Sequence, residues 1–141
     1  MLKQISVVLK NSPGTLAEMS EILGKEGINI RAVSVADTSE VSTVRFVVDD
    51  PTKAMNILKA HGYTVYETDV LAVETPDHPG GLTAVVRPLK EAQINVLYLY
   101  PFLGRVSEQA IVILGVDKIK DAEKVLNQNW VHTLGKEIYN L

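Results

Sequence analysis

The sequence predicts an α+β protein in which one small unit is written twice, and three observations lead there. First, NSPGTLAEMSEILGKEGINI at residues 11–30 returns as DHPGGLTAVVRPLKEAQINV at residues 77–96. Pro13 and Pro79, Leu16 and Leu82, Ile28 and Ile94, and Asn29 and Asn95 all stand 66 positions apart. Second, runs that alternate apolar and polar residues are interleaved with runs of helical period in both halves. Third, 46% of the 141 residues are hydrophobic and 22% charged, which suits a packed core and not a disordered chain.

Each element has its own signal. Leu2–Leu9 alternates, with Ile5, Val7 and Leu9 on one face and Gln4, Ser6 and Lys10 on the other, as in a half-buried strand. Ser12 is placed to cap the next helix with Pro13 in its first turn, where a missing N–H costs little. Leu16, Met19, Ser20 and Leu23 form its apolar face, and Gly27 ends it. Ile28–Val35 reads as a strand, and Asp37–Glu40 as a turn. Val44, Phe46 and Val48 alternate in a third strand. Pro51 opens a helix with Ala54, Ile57 and Leu58 inward, Gly62 closes it, and Tyr63–Tyr66 is a fourth strand. The second copy reads as strand Val70–Glu74, helix Gly80–Glu91, strand Ile94–Leu99, strand Gln109–Leu114, helix Ala122–Asn127 and strand Val131–Leu134. Past Val48 the offset drifts by about two positions, which suggests a small insertion before the second helix of copy two.

Strand, helix, strand, strand, helix, strand is the order of a ferredoxin-like βαββαβ sandwich, an antiparallel sheet with both helices on one face. Two such units in tandem, 1–68 and 69–141, are therefore expected. Glu67-Thr68-Asp69 is too short to be a linker between independently tumbling domains. Units this small bury a low fraction of their surface and leave sheet edges open. The expectation is that the copies cover each other and that a homodimer forms.

Composition excludes several functions. A formal charge of −3 offers no electrostatic footprint for nucleic acid or an anionic membrane. The RNA-binding module of the same element order stacks bases on strand aromatics, whereas Phe46 alone lies on the third strand, on its apolar face. Without cysteine there is no disulfide framework, thiolate zinc site or cysteine nucleophile, nor the paired cysteines of a copper carrier. The three histidines lie in separate elements with no metal-ligand spacing, and no nucleophile elbow, phosphate loop or dinucleotide turn is present. Asp49 and Asp50 read as solvated turn residues. Neither catalysis nor a cofactor is indicated. Lacking a signal peptide or a membrane-length apolar run, the chain is expected in the cytoplasm.

The motif itself, an aliphatic strand, then Asx-x-Pro-Gly-x-Leu, a helix and Ile-Asn-Ile or Ile-Asn-Val, resembles the ACT domain, a small-molecule regulatory module of amino-acid metabolism. QISVVLKNSPGTLAE, INIRAVSVADTSE and ETPDHPGGLTAVV are similar to bacterial proteins made of two ACT domains, and the resemblance covers nearly the whole chain. It implies an amino acid bound where two ACT domains meet, with an unidentified regulated protein as partner. The implied contacts are Asn11, Ser12, Pro13, Gly14, Thr15 and Leu16 in one loop and Asp77, His78, Pro79, Gly80, Gly81 and Leu82 in the other. Asn29 and Ile30, and Asn95 and Val96, would supply the strand starts, each loop being completed by the Asn of the other copy.

Those residue types suit that ligand. Free N–H groups at a glycine-opened helix start face a carboxylate with the positive end of the dipole. Asn29 and Asn95 can meet either a carboxylate or an ammonium group. Asp77 can pair with an ammonium where Asn11 offers only an amide oxygen, so the two sites should differ. Each position also has a structural alternative. Pro-Gly is a turn device, Asn29 can hold a loop, Asp77 can start a helix, and His78 can be a plain loop residue. Arg45 can serve the open face of its sheet or a partner domain, Tyr98–Phe102 a domain or dimer contact, and Trp130 the core or an interface. The competing function is a scaffold that keeps the fold for assembly and has lost the ligand.

Overall fold

The computed structural model describes residues 1–104 and 109–141. It divides into two compact units, Lys3–Thr68 and Asp69–Leu141, the latter together with Met1–Leu2. The first unit runs β1 (Leu2–Lys10), α1 (Thr15–Lys25), β2 (Ile30–Asp37), β3 (Val41–Val48), α2 (Pro51–Ala60) and the opening of β4 (Val65–Thr75). The second takes the remainder of β4, then α3 (Gly81–Glu91), β5 (Val96–Pro101), β6 (Ala110–Val116), α4 (Ile119–Gln128), β7 (Thr133–Leu134) and a short 3-10 helix at Lys136–Asn140. The expected α+β order holds in both.

Several elements differ from expectation, beyond shifts of two or three residues at the ends of β2, β5 and α4. Tyr63–Tyr66 and Val70–Glu74 were expected as two strands, but β4 is a single 11-residue strand with Glu67-Thr68-Asp69 inside it. The stretch holds no Gly or Pro to stop it, and its Val, Tyr and Thr residues favour extended backbone. Strand β7 begins only at Thr133, because the Val131 N–H is spent on closing α4 against the Leu126 carbonyl. The 3-10 helix has no periodic signature in the sequence, yet it buries Ile138 completely.

In the first unit β1 pairs antiparallel with β3, and β3 with β2. On the other edge of β1, Val8 N–H donates to the Thr64 carbonyl at 3.3 Å. In the second unit β4 pairs with β6, β6 with β5, and β7 with β4 at Ala72 and Val73. Both hairpins shift register at the same place, between Ile30 and Ala32 and between Val96 and Tyr98. The insertion lies elsewhere than expected. Ala32 and Tyr98 keep the offset of 66, while their partners Val47 and Gly115 are already 68 apart. The two extra residues therefore fall in the β5–β6 connection, ahead of α4's approach.

Each unit has its own core. Ile5, Val7, Leu9, Val44, Phe46 and Val48 pack against Met19 and Leu23 of α1 and Ala54 and Leu58 of α2. Leu71, Val73 and Leu114 meet Val85, Leu89, Ala122 and Leu126 likewise. The expected face of α1 needs correction, since Leu16 is 42% exposed and Ser20 is exposed as well. Gln4, assigned to the polar face of β1, is buried, and its Nε2 lies 3.5 Å from the Ser6 hydroxyl. Trp130 is 95% exposed and so is not a core residue. Within the aromatic stretch, Tyr100 and Phe102 are buried. Among the described residues no helix is long and apolar enough to cross a membrane.

Candidate functional site

The loop after β1 is built from main-chain hydrogen bonds. Ser12 N–H donates to the Lys10 carbonyl at 2.9 Å, which turns the chain sharply out of the strand. Helix α1 then opens on Gly14, at φ 87°, and not on Ser12 as expected. Ser12 contributes its carbonyl instead, accepting from Thr15 N–H and from Thr15 Oγ1 at 3.1 Å. Pro13 thus precedes the helix, where its fixed φ shapes the turn. The left-handed angle at position 14 favours glycine, and the space a Cβ would fill is open. The loop after β4 repeats this design. Gly80 opens α3 at φ 85°, Gly81 N–H donates to the His78 carbonyl, and again the place of the missing Cβ is open.

Among the described residues no side chain caps α1 or α3. The N–H groups of Leu16, Ala17, Leu82 and Thr83 belong to first turns, which lack intrahelical partners. They are free to meet solvent or an anion, with the helix dipole favouring negative charge. By contrast Asp50 caps α2, accepting from Lys53 N–H at 3.1 Å. Leu82 stands 45% exposed beside its loop, as Leu16 does beside the first.

Around these starts the expected residues divide. Asn11 Nδ2 donates to the Thr38 carbonyl at 3.0 Å and so ties the loop to the β2–β3 turn. Asp77 is exposed and caps nothing. His78, also exposed, directs Nδ1 to the Pro79 carbonyl at 2.9 Å. A cavity of about 350 Å³ opens at Gly80, with Thr83, Arg87 and Glu91 along its wall. Arg87, one helical turn beyond Thr83, went unnoticed in the sequence because a lone helical Arg has no spacing to mark it.

Asn29 and Asn95 are held by a brace that sequence reasoning missed. Asp49 Oδ1 accepts from Asn29 N–H at 3.0 Å, while Asp49 N–H donates back to the Asn29 carbonyl at 3.1 Å. Asp117 does the same for Asn95, at 3.0 and 3.2 Å. Asp49 is therefore not a merely solvated turn residue. The signal was present, because Asp49 and Asp117 recur at the shifted offset of 68. With the main chain fixed this way, the exposed side-chain amides of Asn29 and Asn95 have no hydrogen bond among the described residues. Ile30 and Val96 follow, half-buried, at the strand starts.

Within one copy, loop and Asn do not come together. The 11 residues of α1 separate Gly14 from Asn29, and the 11 of α3 separate Gly80 from Asn95. At about 1.5 Å per residue that is roughly 16 Å, beyond the span of one amino acid.

Comparison with known proteins agrees with this architecture. The family model described as "ACT domain pair" matches residues 1–140. Comparison with the curated proteins returned no match. Among solved structures, protein BT0572 from Bacteroides thetaiotaomicron is similar at 31% identity and a TM-score of 0.92, covering 99% of this chain and 96% of that one. The ligand-free regulatory subunit of aspartate kinase from Thermus thermophilus is similar in fold, with 16% identity, TM-score 0.66 and coverage of 90% and 91%. Its counterpart from Thermus flavus has 16% identity, TM-score 0.62 and coverage of 91% and 92%. From the twofold βαββαβ order, the paired glycine-opened helices and the full-length family match, we conclude that this chain belongs to the ACT domain pair family.

Proposed function

We propose that this protein is a non-catalytic sensor that binds an amino acid and acts through a regulated protein partner. The observation that carries the reading is the pair of uncapped helix starts at Gly14 and Gly80, each matched by a braced Asn with a free amide. In this reading the carboxylate lies against first-turn N–H groups, and the Asn of the other copy completes each site. The Asp77 half is the tighter one, because the Asp77 carboxylate answers the ammonium with a full charge where Asn11, its Nδ2 tied to the Thr38 carbonyl, offers only an amide oxygen. A homodimer is part of the same proposal.

A thermal-shift screen of the twenty amino acids tests it, since any ligand of the native state raises its stability by mass action. At least one should raise Tm, and no response to any would favour the scaffold reading. Calorimetric titration of the best binder then tests the hybrid sites. Asn29→Ala should weaken the Asp77 site by about tenfold or more, the scale of a lost charge-assisted hydrogen bond. Light scattering at a monomer mass of 15.5 kDa would reject the dimer alone.

A further inference from the structure

A second kind of site is carried by the first unit alone. A groove of about 390 Å³ lies between α1 and the turn from α2 into β4, lined by Val8, Lys10, Thr15, Glu18, His61 and Tyr63 among others. Its counterpart in the second unit measures about 220 Å³ and has Pro76, Ala84, Asn129 and Val131 where the first has Lys10, Glu18, His61 and Tyr63. At these four positions the first groove thus carries ionisable side chains and the second none, although Glu74 and His132 stand elsewhere in the second groove's lining.

The strand edge beside the groove differs in the same sense. In an antiparallel ladder successive N–H groups point to alternate sides. Asn11 N–H donates to the Glu40 carbonyl, toward β3, so Lys10 N–H points the other way. Val8 N–H, two residues earlier, also points that way and finds the Thr64 carbonyl. Among the described residues Lys10 N–H has no such partner, because the chain before Thr64 has turned off, with Tyr63 N–H closing on the Leu58 carbonyl. In the second unit Glu74 N–H meets the His132 carbonyl in the same manner, but the next edge residue is Pro76, which has no N–H to satisfy. Among the described residues the first unit thus keeps a main-chain donor, the Lys10 N–H, at the edge position where the second unit has Pro76. Glu18 and Tyr63 both line this groove, and the Tyr63 phenol is pushed above its ordinary pKa by burial and then by the Glu18 carboxylate.

We propose that this groove binds a short zwitterion of the amino-acid class, its carboxylate on the Lys10 main-chain N–H and its ammonium on Glu18. The site is independent of the glycine-opened loops and exists once per chain.

The test is a set of amide correlation NMR spectra of the full chain, titrated separately with each of the twenty amino acids, acetate and methylammonium. At least one amino acid should saturably shift the amides of Lys10, Gly62 and Thr64, more tightly than either half-ligand. Glu18→Gln should weaken that response about tenfold, the scale of one charge-assisted hydrogen bond. Shifts at Asn29 and Asn95, which report the loop sites, should be unchanged by it. Lys10→Pro, which copies the second unit, should abolish the groove response. If no amide from 61 to 64 moves with any amino acid, if Glu18→Gln has no effect, or if acetate binds as tightly, the proposal is overturned. Shifts at Gly62 without any at Asn29 or Asn95 would support the groove while removing the loop sites.

Discussion

After α1 the first unit turns through Gly27 at φ 76°, and after α2 through Gly62 at φ 84°. At the matching points the second unit uses Gln93 at φ 57° and Trp130 at φ 64°. The hydrogen bonds around these turns agree, with Ile28 N–H closing on Leu23 and Ile94 N–H on Leu89. Left-handed backbone is nearly free for glycine and costs other residues about 1–2 kcal/mol. The same backbone is thus held in two ways, and the second unit holds it under strain. At the helix starts the contrast runs through a side chain. Thr15 Oγ1 donates to the Lys10 carbonyl at 2.9 Å, whereas at Gly81 a Cβ would fall 1.9 Å from the Pro76 carbonyl. Helix α3 therefore sits closer to its strand than a side chain would allow. At the hairpin bulge the sizes are exchanged, Ala32 opposite Val47 in one unit and Tyr98 opposite Gly115 in the other. What the copies share is main-chain geometry, and each fills it with its own side chains.

The largest effect should come from forcing the first unit's solution onto the second. Gly81→Thr drives a side chain into the Pro76 carbonyl, and backbone, unlike a flexible side chain, cannot swing aside. We expect a loss of about 3 kcal/mol or more in urea unfolding, with Thr15→Gly costing nearer 1 kcal/mol. Equal losses would mean that the two starts are interchangeable after all.

Next in size is the bulge. A Cβ at Gly115 would lie 2.2 Å from the Tyr98 ring. Gly115→Val should destabilise by about 2 kcal/mol, and adding Tyr98→Ala should recover at least half, a coupling typical of residues in contact. Additive losses would break the size-exchange account.

The braces come third. Asp49→Ala and Asp117→Ala each leave an Asn N–H without its acceptor, and each should cost about 1 kcal/mol. In the calorimetric titration either change should also weaken the loop site to which its Asn belongs. Unaltered affinity in both would separate the brace from the site.

The smallest expected change is a gain. Gln93→Gly and Trp130→Gly should each stabilise by about 0.5–1 kcal/mol in the same urea unfolding, and Gly27→Ala should do the reverse. If Trp130→Gly destabilises instead, Trp130 makes contacts in solution that outweigh its strain.

Much of this was legible in the chain and some was not. The repeat, the βαββαβ order and the glycine-Asn landmarks came from local periodicity and from residues with special backbone freedom. The capping assignment failed at Ser12 because a serine two residues before a glycine gives no sign of which will take the cap. The exposed position of Leu16 was missed because α1 starts two residues later than Pro13 suggested, which leaves Leu16 in the first turn, while Ser20 lies one position off the buried Met19–Leu23 stripe.

The sequence by itself determined that one α+β unit occurs twice, where its helices stop, and that both copies begin a helix on Pro-Gly and a strand on Ile-Asn. Only the tertiary structure decided that β4 runs unbroken through Glu67–Asp69, that Asp49 and Asp117 lock the Asn main chains, and that Lys10 and Glu18 line one groove. The reason is one of range. Hydrophobic period and glycine turns are properties of neighbouring residues, whereas Asp49 lies 20 positions from Asn29 and 22 separate Asp117 from Asn95. Which of their N–H groups meet depends on how the strands pair, and strand pairing is fixed only when the sheet forms.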